Sequence, residues 1–185
     1  TQRTTASDLL PGPGKTDPLP DHDWRDLLGS ALYAAKIISY TQGFMLLQEG
    51  SRIYEWDLDF GKIALIWREG CIIRSAFLDR IYQAYQKDPS LVNLLFDPFF
   101  QSAVVDRIDH LRRVVSLAVN YGIPVPAFST ALAFYDGYRR ERLPANLIQA
   151  QRDFFGAHQF ERVDHPRGKY FHHDWDHSER QTSSQ

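Results

Sequence analysis

One stretch of the chain, residues 23 to about 56, constrains the fold more than any other. Leu28, Ala31, Ala35 and Ile38 recur at the three- and four-residue spacing of one helix face. Leu32, Ile37, Phe44 and Leu46 put further apolar side chains on the other faces. Asp21 or Asp23 supplies a cap, because a short carboxylate satisfies the free N–H groups of a first turn. The pattern predicts one long helix buried nearly all round, so the rest of the chain must pack around it.

Residues beyond this stretch repeat the helical period. A short helix is expected over 63–69, stopped at Gly70, and another over 71–87 with Ile73, Phe77, Ile81 and Ala84 on one side. Ser90 can cap a short segment over 91–96. Asp97-Pro98 is a start signal: a capping carboxylate, then a ring whose missing N–H costs nothing at the first helical position. Val104, Ile108, Leu111, Val115 and Ala118 form the stripe of the next helix, closed at Asn120-Tyr121-Gly122. Further helices are expected over 127–141 and up to Phe155. No segment before residue 160 alternates with the two-residue period of a strand. The expectation is an all-α domain over 23–157, preceded by a Pro- and Gly-rich linker over 1–22 that resists helix and strand. A polar tail over 158–185 carries His158, His165, His172, His173 and His177.

Composition excludes several classes. A hydrophobic share of 43% suits a folded core, and the net charge of -2 offers no basic field for nucleic acid. The most apolar run, 31–47, is broken by Lys36, Gln42 and Gly43 and falls short of the roughly 20 residues of a membrane span. The start has no secretory leader pattern. A single cysteine, Cys71, excludes a disulfide framework and reads as an inert core thiol in a cytoplasmic, reducing setting. The chain has 185 residues, begins on Thr1 and uses methionine once, at Met45, which suggests a processed protein or a piece of a longer one.

There is no Gly-x-Gly-x-x-Gly, no Walker loop and no Gly-x-Ser-x-Gly. His173 and His177 have a spacing that could share a metal on a helix, but their polar, near-terminal setting favours a solvated tail. Arg139, Arg140 and Arg142 read as a solvated helix end. The segment 146–158 has more chemical content. Arg152 offers a planar fork for phosphate or carboxylate, and His158, six residues on and past Gly156, adds a second donor: half of an anion clamp. The plainer alternative is a surface Arg152 paired with Asp153 beside an exposed His158.

That segment, Asn146-Leu147-Ile148-Gln149-Ala150-Gln151-Arg152-Asp153-Phe154-Phe155-Gly156-Ala157-His158, resembles the C-terminal signature of the decarboxylating 6-phosphogluconate dehydrogenases of the pentose phosphate pathway. Leu32 to Phe44 is similar to that family's long central helix. Gly70-Cys71-Ile72-Ile73-Arg74-Ser75, Tyr121-Gly122-Ile123-Pro124-Val125-Pro126 and Phe171-His172-His173-Asp174-Trp175 resemble further family blocks, in the same order. The resemblance implies a homodimer with an N-terminal dinucleotide-binding domain for NADP, a large helical domain, and a tail that crosses into the partner subunit. It implies that Arg152 and His158 bind the phosphate of 6-phosphogluconate in the neighbour's active site. The family's dinucleotide fingerprint and its catalytic lysine and glutamate belong upstream of these blocks. No catalytic residue is therefore assigned, and the chain alone is expected to be inactive. A stand-alone helical dimerisation module without catalytic activity is the alternative.

Overall fold

A computed structural model describes residues 1–14, 18 and 23–175. His177 and Asp21 lie outside the described residues, and with them the His173–His177 pair and one of the two candidate caps. Eight α-helices and a single pair of two-residue strands are present among the described residues, so the all-α expectation is borne out. None of the described helices is long and apolar enough to cross a membrane. The chain divides after Tyr138 into two compact units.

The first unit is organised by α2 (Trp24–Tyr54). Asp23 caps it, its carboxylate accepting from the N–H groups of Arg25 and Asp26. Glu55, in the left-handed region at φ 55°, ends it. Around α2 pack α3 (Phe60–Ile66), α5 (Pro98–Val105), α6 (Ile108–Asn120), α7 (Pro126–Tyr138) and a 3-10 turn at Leu94–Phe96; α4 (Leu78–Lys87) packs on α3. Ala31, Ala34 and Ala35 are small enough to bring neighbouring helices close, and Ile37, Ile38 and Phe44 fill the space beyond them. Phe77 sits edge-on to Tyr33, Tyr40 and Phe100. The burial of α2 is less complete than its composition predicts. Leu32 and Leu46 are exposed, and so is Leu28, whose place in the core is taken by Leu27.

Other elements depart from the predicted ones for local reasons. Residues 2–9 lie upstream of the first proline and form helix α1 (Gln2–Leu9), so the resistance to helix applies only after them. Asp59 caps α3 by accepting from the Lys62 N–H, which starts that helix three residues early. Residues 71–77 are not helical. The Lys36 ammonium donates to the Arg74 carbonyl at 3.1 Å, and the Tyr40 hydroxyl donates to the Ile73 carbonyl. Side chains of α2 thus take carbonyls that a helix would use internally, and Cys71 lies in this loop, half-buried. The helix expected across 98–118 breaks at Asp106 and Arg107. The Arg107 guanidinium returns to the Ala103 carbonyl and lies over the Tyr33 ring at 5.1 Å. The break leaves the stripe intact: Val104, Ile108, Leu111 and Ala118 are all buried. After α6, Gly122 turns the chain at φ +66°, where a Cβ would stand 2.7 Å from Pro13.

The second unit begins at Arg139. Helix α7 has already ended there, so Arg139, Arg140 and Arg142 are exposed but lie past the helix rather than in its last turn. The unit consists of α8 (Asn146–Gly156) and an antiparallel pair, β1 (Phe160–Glu161) with β2 (Tyr170–Phe171), in the register Phe160 to Phe171 and Glu161 to Tyr170. The Glu161 carboxylate holds the connecting loop by accepting from the Gly168 N–H at 2.6 Å and from Arg167 at 3.1 Å.

Candidate functional site

Helix α8 positions both of the residues singled out in the sequence. Arg152 lies near its C-terminal end, exposed, its guanidinium 3.5 Å from the Gln149 side-chain oxygen one turn earlier. His158 lies two residues beyond the helix, also exposed. They share one end of α8, and among the described residues no hydrogen bond joins them.

Arg152 is not paired with Asp153. Consecutive residues of a helix project about 100° apart, so a carboxylate and a guanidinium at adjacent positions do not face each other. Asp153 points inward and is fully buried. Its Oδ1 accepts from the Gln159 N–H at 3.0 Å and from His172 Nδ1 at 2.9 Å. Its Oδ2 accepts from the His173 N–H and the Trp175 indole N–H, each at 3.0 Å. An ionised carboxylate only accepts, so the Nδ1 of His172 carries the proton in this contact. Burial alone would raise the pKa of Asp153. The donors, led by the His173 N–H, outweigh it and hold the carboxyl well below the ordinary range.

This arrangement changes the picture of the tail. Residues 172–175 are tied to α8 through one buried charge, where the sequence suggested a solvated segment. Trp175 meets the Phe154 ring edge-on at 6.0 Å and His173 at 4.7 Å. A cleft of about 760 Å³ opens beside it, lined by Leu143, Ala150, Phe160, Val163, His173 and Trp175 among others. Neither Arg152 nor His158 lines this cleft.

His158 itself is held at a sharp reversal. Ala157 and Gln159 on either side have φ of 49° and 63°, values that non-glycine residues seldom adopt. The Ala157 N–H closes the helix on the Asp153 carbonyl at 2.8 Å. Gly156 has no side chain to obstruct the imidazole: a Cβ there would stand 2.7 Å from His158 Nε2. The sequence singles out Arg152 and His158 but not the buried role of Asp153. The available signal was a carboxylate on an amphipathic helix whose partners lie far along the chain, and sequence spacing does not reveal such partners.

Among the described residues no three His, Cys, Asp or Glu side chains converge as a metal site requires. The sequence contains no Gly-x-Gly-x-x-Gly, and the described strands amount to one two-residue pair, so these residues do not form a dinucleotide platform.

The fold and site together define a helical domain whose second unit carries an exposed Arg152 and His158 toward one end of α8 and whose described residues form no dinucleotide platform. Comparison with known proteins gives its family. Residues 1–175 match the model of the 6-phosphogluconate dehydrogenase C-terminal domain. The "6-phosphogluconate dehydrogenase, decarboxylating 2" of Saccharomyces cerevisiae is 60% identical over 161 residues, covering 86% of this chain and 33% of the relative. The human "6-phosphogluconate dehydrogenase, decarboxylating" is 53% identical over 177 residues, covering 94% and 36%. The solved 6-phosphogluconate dehydrogenase of Plasmodium falciparum, described in its apo form and in complex with NADP+ and with 6-phosphogluconate, is similar with a TM-score of 0.81. It is 41% identical, and the match covers 94% of this chain and 37% of that one. The chain belongs to the 6-phosphogluconate dehydrogenase C-terminal domain family. It spans about a third of the length of the curated relatives it matches.

Proposed function

We propose that this chain works as the C-terminal part of an NADP-dependent, decarboxylating 6-phosphogluconate dehydrogenase in the cytoplasm. Within it, Arg152 and His158 bind the substrate's phosphate. The observation that carries the reading is the placement of both side chains, exposed, at one end of α8, in a chain whose family match runs unbroken through them. A guanidinium fork and an imidazole suit a phosphate's several acceptor oxygens. Their contribution is positional: a phosphate anchored away from the reacting carbons uses binding energy to orient them. Cofactor binding falls mainly to a domain outside this chain.

The same enzyme would be a homodimer whose tail completes the partner's site. Large apolar side chains left uncovered in each unit support this reading. Leu32, Leu46 and Ile72 are exposed in the first, and Leu147, Phe154 and Phe155 in the second. The test is R152A in the complete enzyme. Loss of a charge-assisted hydrogen bond costs about 1.5 to 3 kcal/mol, so the KM for 6-phosphogluconate should rise roughly 10- to 150-fold. An unchanged KM would sink the assignment.

A further inference from the structure

His158 projects from a turn that exposed residues alone would not hold. Its neighbours on both sides are in the left-handed region, and its own side chain is exposed. Asp153 brackets this turn twice. Its backbone carbonyl receives the N–H of Ala157, and its carboxylate receives the N–H of Gln159. The remaining acceptor positions bind His172, His173 and Trp175, so the residue that fixes the turn also anchors the end of the described tail to α8. Four donors on a fully buried carboxylate leave it little freedom to move. The side chain preceding it in the chain is Arg152.

We propose that Asp153 is a positioning residue for substrate-phosphate binding: it touches no substrate, but fixes the reversal that presents His158 at the same end of α8 as Arg152. The proposal rests on the phosphate-binding reading of those two residues and goes one shell further in. It assigns the geometry of the clamp to a buried charge. The tail residues His172 and Trp175 act through that charge, as donors that hold the carboxylate in place.

The experiment compares D153N, W175F and R152A in the complete enzyme, measuring kcat and the KM for 6-phosphogluconate, with inorganic phosphate as a competing probe. D153N keeps the size of the side chain and turns one acceptor into a donor facing other donors. Its KM should rise by roughly tenfold, with kcat within about twofold, because misplacement of a positioning group weakens binding before it alters the chemistry. Inhibition by phosphate should weaken in parallel. W175F removes one of the two donors on Oδ2 and should shift KM in the same direction by a smaller factor. W175F also decides the matter if D153N does not fold. A fall in kcat at unchanged KM, the mark of lost active protein, would overturn the proposal, as would W175F and D153N values equal to the parent's. R152A separates the two readings. If its KM rises while that of D153N does not, the clamp stands and the positioning role fails; if R152A leaves KM unchanged, the clamp itself fails.

Discussion

The chemistry of the second unit depends on the difference between two adjacent residues of α8. Arg152 is exposed and cationic; Asp153 is buried and anionic, with all of its partners downstream. The depressed pKa of Asp153 has a consequence with a definite sign. A carboxyl that ionises more readily when folded adds stability above its unfolded value, near pH 4, and loses it as the pH falls from there toward the folded value. The melting temperature of the parent chain should therefore exceed that of D153N from neutral pH down to about pH 4, by a margin that shrinks only below that. A margin that narrows well above pH 4 would contradict this account. Gly156 makes a complementary case. G156A should leave stability unchanged or raise it by up to about 1 kcal/mol, since alanine favours the helix. Its Cβ would meet the His158 ring at 2.7 Å, so the KM for 6-phosphogluconate should rise in an enzyme that melts no lower. A KM equal to the parent's would mean that the imidazole can move aside without cost.

At the scale of elements, what was legible in the sequence is what local chemistry decides. Asp97-Pro98 starts α5 as expected, with the Asp97 carboxylate accepting from the N–H of Phe99 at 3.0 Å and of Phe100 at 3.4 Å. D97A should lower stability by about 1 kcal/mol, seen as a few degrees in the melting temperature. No change would mean that packing of Phe100 alone sets this helix start. The misses have a common cause: a distant side chain claims a backbone group. Lys36 and Tyr40 hold residues 71–77 out of the helical form, and Arg107 ends α5 through contacts to Ala103 and Tyr33. No glycine or proline marks the break at Arg107, so periodicity runs straight across it. The candidate site divides in the same way. Arg152 and His158 were legible as residue types at a spacing. The strained turn and the carboxylate that holds it were not, because they arise from contacts between α8 and residues up to 22 positions away.

For the molecule as a whole, the two units carry different duties. The first buries a continuous core along α2. The second, with one buried charge at its centre, carries the two residues of the proposed clamp. Apolar side chains exposed in both units suit a chain that is completed by other surfaces, which accords with a match spanning a third of its relatives. The central claim is that Arg152 and His158 serve the active site of a neighbouring subunit. Mixing subunits tests it most directly. A complete enzyme carrying R152A would be denatured and refolded with one inactivated in its cofactor-binding half, and assayed at 6-phosphogluconate well below the KM of the R152A enzyme. If the tail crosses, each mixed dimer regains one intact site, and an equal mixture should recover about a quarter of the parent activity. If the tail serves its own subunit, every site keeps a defect. Activity no higher than the mean of the two separate variants would contradict the account.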